Sequence, residues 1–383
     1  MNDPLDFEAL RREFPVLGRK TYLNSGSYGA LARSVKAAFE SYLERRLEKG
    51  ADWDWWVEKS DAVRALMAQL FNAHEDEIAI TASASAGINS VASALDFTGS
   101  RNKVVTSDFE FPTNGQIWHA QEKRGARVIH VPPAADGYIP LEHFERAIDE
   151  HTKIVAVTHV CYRNGAKLDI AGIARLAHAK GALVLVDSYQ AAGAEEIDVK
   201  ALDVDFMVGG MLKYLLGTAG IGYLYARGSL VEDLVPTVSG WFAQRDIGAM
   251  NIRVNDPAPS ARRFEAGTPA VPNCYAAEAG LRLLLDVGVP NAAARVRALT
   301  RRCMERLDEE GFAIDNPRED AKRGPTVMIR ARKDSELVDR LAERDIVTSH
   351  RDGNVRASFH FYNNEDDIEA LIEGLKANRD LIA

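Results

Sequence analysis

Leu183-Val184-Leu185-Val186-Asp187-Ser188-Tyr189-Gln190 is the stretch from which the fold is read: an unbroken apolar run that ends in a carboxylate. A continuous apolar run bounded by polar residues fits a strand buried on both faces, as in a parallel sheet. Outward from it, similar runs recur at Ile78 to Thr81, Val104 to Ser107, Val128 to Val131, Ile154 to His159, Phe206 to Val208 and Ile221 to Tyr225. Between them lie segments of helical period, such as Ile170, Ile173, Leu176 and Ala177. Strands alternating with helices read as an α/β fold, here a large domain whose mainly parallel seven-stranded sheet is covered by helices. After about Pro272 the texture changes to long helices, Ala276 to Leu285 and Ala292 to Glu310. Strands at Thr326 to Ile329 and Val355 to Phe361 follow, then a last helix that Asn364 and Asp367 would cap. The expected division is an N-terminal segment over 1–20 packing near the small domain, a large domain over 21–260 and a small α+β domain over 261–383.

Composition narrows the partners. The 383 residues carry 47 Lys plus Arg against 56 Asp plus Glu, a net charge of −9 that argues against nucleic acid or an anionic membrane surface. With 46% hydrophobic residues the chain can bury a large core. Cys161, Cys274 and Cys303 are far apart and lack CxxC spacing, and no HExxH occurs, so neither disulfides nor a metal are expected. The acidic start is unlike a signal peptide, and no apolar run approaches the roughly 20 residues of a membrane helix. A cytoplasmic location is the expectation.

In an open parallel sheet, ligands bind beyond the carboxyl ends of the strands. Three groups stand there. Ser83-Ala84-Ser85-Ala86-Gly87 leaves a strand and enters a helix, whose free N–H groups suit a phosphate. Asp187 ends its strand, and Lys213 follows the next one in Gly209-Gly210-Met211-Leu212-Lys213-Tyr214. Taken singly these are turn residues, an N-cap and a solvated lysine. In this order on one sheet they are the parts that pyridoxal 5'-phosphate requires. The amine forms a Schiff base, the carboxylate keeps the pyridine nitrogen protonated, and the helix start neutralises the phosphate. The GxGxxG of a nicotinamide site is absent from Ser83 to Asn89.

With Tyr22-Leu23-Asn24-Ser25-Gly26, Phe264-Glu265-Ala266-Gly267-Thr268-Pro269 and Arg356-Ala357-Ser358-Phe359-His360-Phe361-Tyr362-Asn363, these segments resemble the fold-type I pyridoxal-phosphate enzymes of the class V aminotransferase superfamily, from Tyr22 to Asp367. The resemblance implies that Lys213 is the Schiff-base lysine, that Asp187 faces the pyridine nitrogen and that Gln190 lies near the ring hydroxyl. It places Ala84 and Ser85 at the phosphate, and Gly267 and Thr268 at the phosphate of the neighbouring subunit, hence a homodimer with shared active sites. Arg356 matches the arginine that clamps the substrate α-carboxylate. Asn24, His159 and Tyr162 are further candidates for the substrate side.

Two subfamilies compete. Phe111 stands where cysteine desulfurases and selenocysteine lyases stack a histidine on the ring and where kynureninases stack a phenylalanine. Leu212 replaces the phosphate-binding histidine of the former and the tyrosine of the latter, and Gly210 replaces a desulfurase serine. No cysteine lies between Ile346 and Arg356 to accept sulfur. The resulting expectation is an enzyme acting on an L-α-amino acid, a β-lyase or hydrolase that cleaves a C–S or C–C bond at Cβ. The alternatives are an aminotransferase, an epimerase, or a homologue that binds the cofactor without turnover. Trp53, Trp55, Trp56 and Trp241 either line an aromatic pocket or serve packing.

Overall fold

The structure, a computed structural model, describes residues 5–383. Its strands are β1 (Thr21–Tyr22), β2 (Ile78–Thr81), β3 (Lys103–Ser107), β4 (Arg127–Val131), β5 (Thr152–Thr158), β6 (Leu183–Asp187), β7 (Phe206–Gly210), β8 (Gly222–Ala226), β9 (Thr326–Arg330), β10 (Ile346–Val347), β11 (Ser349–Arg351) and β12 (Asn354–Ser358). Seven of them form one sheet in the order β2-β8-β7-β6-β5-β3-β4. All neighbours are parallel except around β8, which runs antiparallel to both β2 and β7. The fold is the fold-type I α/β architecture expected from the apolar runs.

Alternation along the buried strands divides two cores across the sheet. Val184, Val186 and Met207 pack on one face with the helix Val271–Val287, while Leu185, Phe206 and Val208 pack on the other with the helix Ala84–Ala94. A separate core joins the three-stranded antiparallel sheet β11-β12-β9 to the helices Val289–Glu309, Asp334–Ala342 and Glu365–Lys376. The helix Val271–Val287, expected in the small domain, contributes Ala276, Leu281 and Leu284 to the large core instead; its neighbours are the helices Arg33–Lys49 and Trp53–Phe71. The last helix begins with the expected capping box, Asn364 accepting from Asp367 N. Among the described residues, no helix is long and apolar enough to cross a membrane.

One expected strand is shorter than its apolar run. The run Val355 to Phe361 stays in the sheet only to Ser358, after which His360 N donates to Asn363 Oδ1 and the chain turns. His360 therefore does not share a strand face with Arg356.

The N-terminal segment crosses between the two units. Arg11 grips Asp367 through both guanidinium nitrogens, at 2.7 and 2.9 Å, and donates to Tyr362 O. β1 then pairs in parallel with β10, and Ser358 N donates to Leu23 O at 2.7 Å. Immediately afterwards the turn Asn24 to Gly29 reaches the large unit, where Gly29 N donates to Leu212 O at 2.8 Å. A Cβ at Gly29 would overlap the carbonyl oxygen of Lys213, so only glycine fits. Gly29→Ala is expected to lower stability by about 1–3 kcal/mol, as overpacking does. Urea unfolding of the two proteins measures the difference.

Candidate active site

Asp187 is the last residue of β6, at the carboxyl edge of the sheet between β5 and β7, and is fully enclosed. Tyr189 N donates to its Oδ1 at 2.9 Å, an Asx-turn that aims the carboxylate along the strand axis. Lys213 comes three residues after β7 on a loop fixed from several sides. Gly217 N donates to Met211 O, and Gly29 N to Leu212 O. His360 Nε2 donates to Tyr214 O at 3.0 Å while its Nδ1 accepts from Phe361 N at 2.8 Å, which defines one neutral tautomer. Burial holds this imidazole down to about 4, so it stays uncharged at neutral pH. Between these elements lies a cavity of about 320 Å³ whose wall includes Ala84, Ser85, Phe111, Asp187, Gln190 and Lys213. Tyr162 belongs to the same wall, its ring edge-on to Phe111 at 5.1 Å.

Electrostatics set the lysine apart. Burial, followed by the Arg356 guanidinium, draws the Lys213 amine down to about 7, against an opposing pull from Asp187. Burial raises the Asp187 carboxyl. Arg356 is 3% exposed and, among the described residues, has no carboxylate partner; its Nε has no hydrogen-bond partner. Its Nη2 rests 3.5 Å from Gly26 O, the same oxygen that accepts from Gln190 Nε2 at 3.0 Å. A buried cation without an anion is a recognition site for one brought by a ligand.

The pocket fits the cofactor that the sequence suggested. The N–H groups of Ala84 and Ser85 open the helix Ala84–Ala94 with no acceptor above them, whereas Ala86 N is satisfied by Ser83 Oγ at 3.1 Å. Gln190 Oε1 is buried without a donor, as are His159 Nδ1 and Asn24 Oδ1. These are open valences for a polar ligand. Asn24 sits where the N-terminal turn bridges to Ser358, and His159, held by burial near 3, lies just outside the cavity wall. Gly267 and Thr268 are elsewhere in the protomer, on a separate hollow of about 200 Å³ with Thr81, Ala86 and Val238.

Sequence reading missed Glu110. This fully buried acid accepts from Ser107 Oγ at 2.5 Å, Asn114 Nδ2 at 2.6 Å and Thr158 N at 2.9 Å. It thereby ties the ends of β3 and β5 to the helix that carries Phe111, and burial pushes it up to about 8. The spacing Ser107, Glu110, Asn114 was its only signal, because its third partner is a backbone N–H from another strand. The tryptophans stand away from the lysine cavity of their own protomer: Trp53, half-exposed, is edge-on to Trp56 at 5.1 Å and to Trp241 at 5.8 Å. All three cysteines are buried, and burial raises each thiol.

Residues 56–371 match the aminotransferase class-V family. The chain belongs to that family. Class-V enzymes use pyridoxal 5'-phosphate, and this protein is a pyridoxal-phosphate-dependent enzyme. An uncharacterized aminotransferase of Bacillus subtilis, YcbU, is 36% identical over 370 residues, covering 97% of each chain. A probable cysteine desulfurase of Streptomyces coelicolor is 29% identical, again over 97% of each. Among solved structures, a cysteine desulfurase from Thermococcus onnurineus superimposes with a TM-score of 0.88 at 24% identity over 99% of both chains, which bears on the fold.

Capture of the cofactor aldehyde requires the uncharged amine. The rate at which the apoprotein takes up pyridoxal 5'-phosphate should therefore rise through about pH 7. In Arg356→Leu the loss of a neighbouring cation moves this profile to higher pH, and in Asp187→Asn the loss of an anion moves it lower. Stopped-flow absorbance across pH measures both displacements.

Proposed function

We propose that this class-V enzyme is a carbon–sulfur β-lyase acting on an L-cysteine conjugate. Arg356 takes the substrate α-carboxylate in its bidentate fork, a contact that neutralises an otherwise unpartnered buried cation. Lys213 is the base at Cα: its lowered basicity lets it accept and return a proton near neutral pH. Asp187 holds the proton on the pyridine nitrogen. Bound between them, the cofactor supplies an electron sink for the pair left at Cα. Phe111, at the cavity mouth beside Tyr162, covers the ring face.

The observation that carries the choice of sulfur is the chemistry of the wall. Apart from Asp187, which faces the pyridine nitrogen, and Lys213, the base at Cα, its only ionisable groups are the phenols of Tyr162 and Tyr189. No carboxylic acid is at hand to protonate a departing carbon or oxygen. A thiolate leaves without one, since free thiols ionise near pH 8.5. A probable cysteine desulfurase among the relatives supports the same bond. No cysteine lines the lysine cavity, and burial raises the thiols of Cys161, Cys274 and Cys303, which supports release of a free thiol rather than sulfur transfer to the enzyme.

A homodimer completes the reading. Gly267 and Thr268 lie outside their own protomer's lysine cavity, and Val235, Val238, Met250, Ile252 and Val254 expose a run of apolar side chains nearby in the chain. Covering this face with a second copy would bring Gly267 and Thr268 to the partner's phosphate.

The test is a spectrum of the loaded enzyme, with no keto acid present, against L-cysteine conjugates, L-kynurenine and common amino acids. Release of thiol and pyruvate, with the cofactor remaining in its aldehyde form, is expected. Bleaching to the pyridoxamine form until a keto acid is supplied makes the enzyme an aminotransferase. Turnover of kynurenine alone moves the cleaved bond to carbon. Lys213→Ala should fold and lose all turnover.

A further inference from the structure

Tyr189 follows Asp187 by two residues, and its ring lies beside the Lys213 amine, Nζ being 4.4 Å from the ring centroid. The phenol end points toward β7: a Cβ at Gly210 would overlap Tyr189 Oη and Cζ. Gly210 is paired with Gly222 across the β7–β8 register. Side chains of directly opposed residues leave the same face of a sheet. On that face a Cβ at Gly222 would lie 2.9 Å from Ser83 C and 3.1 Å from Ala84 N. Two glycines whose Cα atoms are about 4.5–5.5 Å apart therefore separate the Tyr189 hydroxyl from the open start of the helix Ala84–Ala94. A phosphate that accepts from donors on both sides spans a gap of this size.

The hydroxyl is free for this task. Tyr189 N donates to Asp187 Oδ1, but Oη has no hydrogen-bond partner among the described residues, and the side chain lines the lysine cavity. Burial, then the Asp187 carboxylate, raises its ionisation, so at neutral pH it is a donor. Two neighbouring positions offer no donor, since residue 210 has no side chain and Leu212 is apolar; Ser83 Oγ accepts from Ala86 N and keeps its own proton to donate beside Tyr189.

We propose that Tyr189 is a phosphate-binding residue, its hydroxyl donating to the cofactor phosphate from the space that a side chain at position 210 would fill. Gly210 is then glycine because Tyr189 is present. The proposal rests on the reading of the Lys213 cavity as the cofactor site, and that reading has its own control. Borohydride reduction of the loaded wild type must fix the cofactor to the peptide containing Lys213; failure there overturns the site itself.

The test titrates apoprotein with pyridoxal 5'-phosphate and with pyridoxal, which lacks the phosphate, following absorbance. Tyr189→Phe retains the ring and removes only the hydroxyl. A hydrogen bond to a charged acceptor is worth about tenfold to hundredfold in affinity. Binding of pyridoxal 5'-phosphate should weaken by that factor while binding of pyridoxal stays unchanged. Equal weakening of both, or of neither, overturns the proposal. The shared space gives a second readout. Gly210→Ser alone should weaken pyridoxal 5'-phosphate binding, because the new side chain meets the phenol. The double variant Y189A/G210S should recover the preference for the phosphorylated form that Tyr189→Ala loses. A Gly210→Ser protein that binds like wild type overturns the steric half of the argument and the proposal with it.

Discussion

The backbone from Leu212 to Leu216 is packed more closely than side chains allow, and the site depends on that packing. A Cβ at Gly29 would overlap Lys213 O, one at Gly193 would overlap Tyr214 O, and one at Gly280 would come within 2.7 Å of Leu215 O. These glycines belong to the N-terminal turn, the loop after β6 and the helix Val271–Val287. Three distant parts of the chain thus converge on one short loop, which also carries Leu216 at φ 59, in the left-handed region. Such a conformation costs a non-glycine residue roughly 1–2 kcal/mol, and it persists because the surroundings leave no alternative. An amine placed this way would lose little entropy on reacting, since its backbone is already fixed.

The same convergence explains the electrostatics. Lys213 is brought by β7, Asp187 by β6 and Arg356 by β12, so the amine is flanked by one anion and one cation in a space with little water. Desolvation lowers an ammonium and raises a carboxyl, and the guanidinium adds to the first effect. The result is an amine that is half neutral near pH 7, bought by burying an arginine that no acid of the chain accompanies. Gly26 O, shared by Arg356 and Gln190, is one of the contacts that couple the small sheet to the lysine cavity, alongside Tyr214 Oη with Thr326 Oγ1.

How much of this was legible in the sequence follows from the range of the interactions. The seven strands of the large sheet were found within one or two residues, because burial on both faces leaves continuous apolar runs. Asp187, Lys213, Ala84 and Ser85 were singled out because strand ends in such a sheet are where ligands bind, and the fold brings all four to one cavity wall. β1, β10 and β11 were missed: they are two or three residues long and exist only by pairing across more than 300 residues or around a tight turn. Strand β12 was drawn too long because Phe359 and Phe361 are apolar for the sake of the core behind the turn. Glu110 was passed over since its meaning lies in Thr158 N, a partner that pattern alone does not bring near.

Departures from the family pattern carry the rest of the argument. Leu212 and Gly210, read one at a time, are losses of polar groups beside the phosphate. In three dimensions Tyr189, just after β6, fills the space over Gly210, and Leu212 lines the same cavity. A site can keep its donor count while changing which element supplies the donor, because the ligand senses only the position of the hydrogen, not the residue behind it. Substitutions at residues 189 and 210 are then coupled through shared volume rather than independent. A phenol held against β7 is also stiffer than a serine hydroxyl, having two torsions that packing fixes rather than one that rotates freely. With Tyr189 as the donor, the polar groups absent from residues 210 and 212 are made up by a different way of building the same anchor.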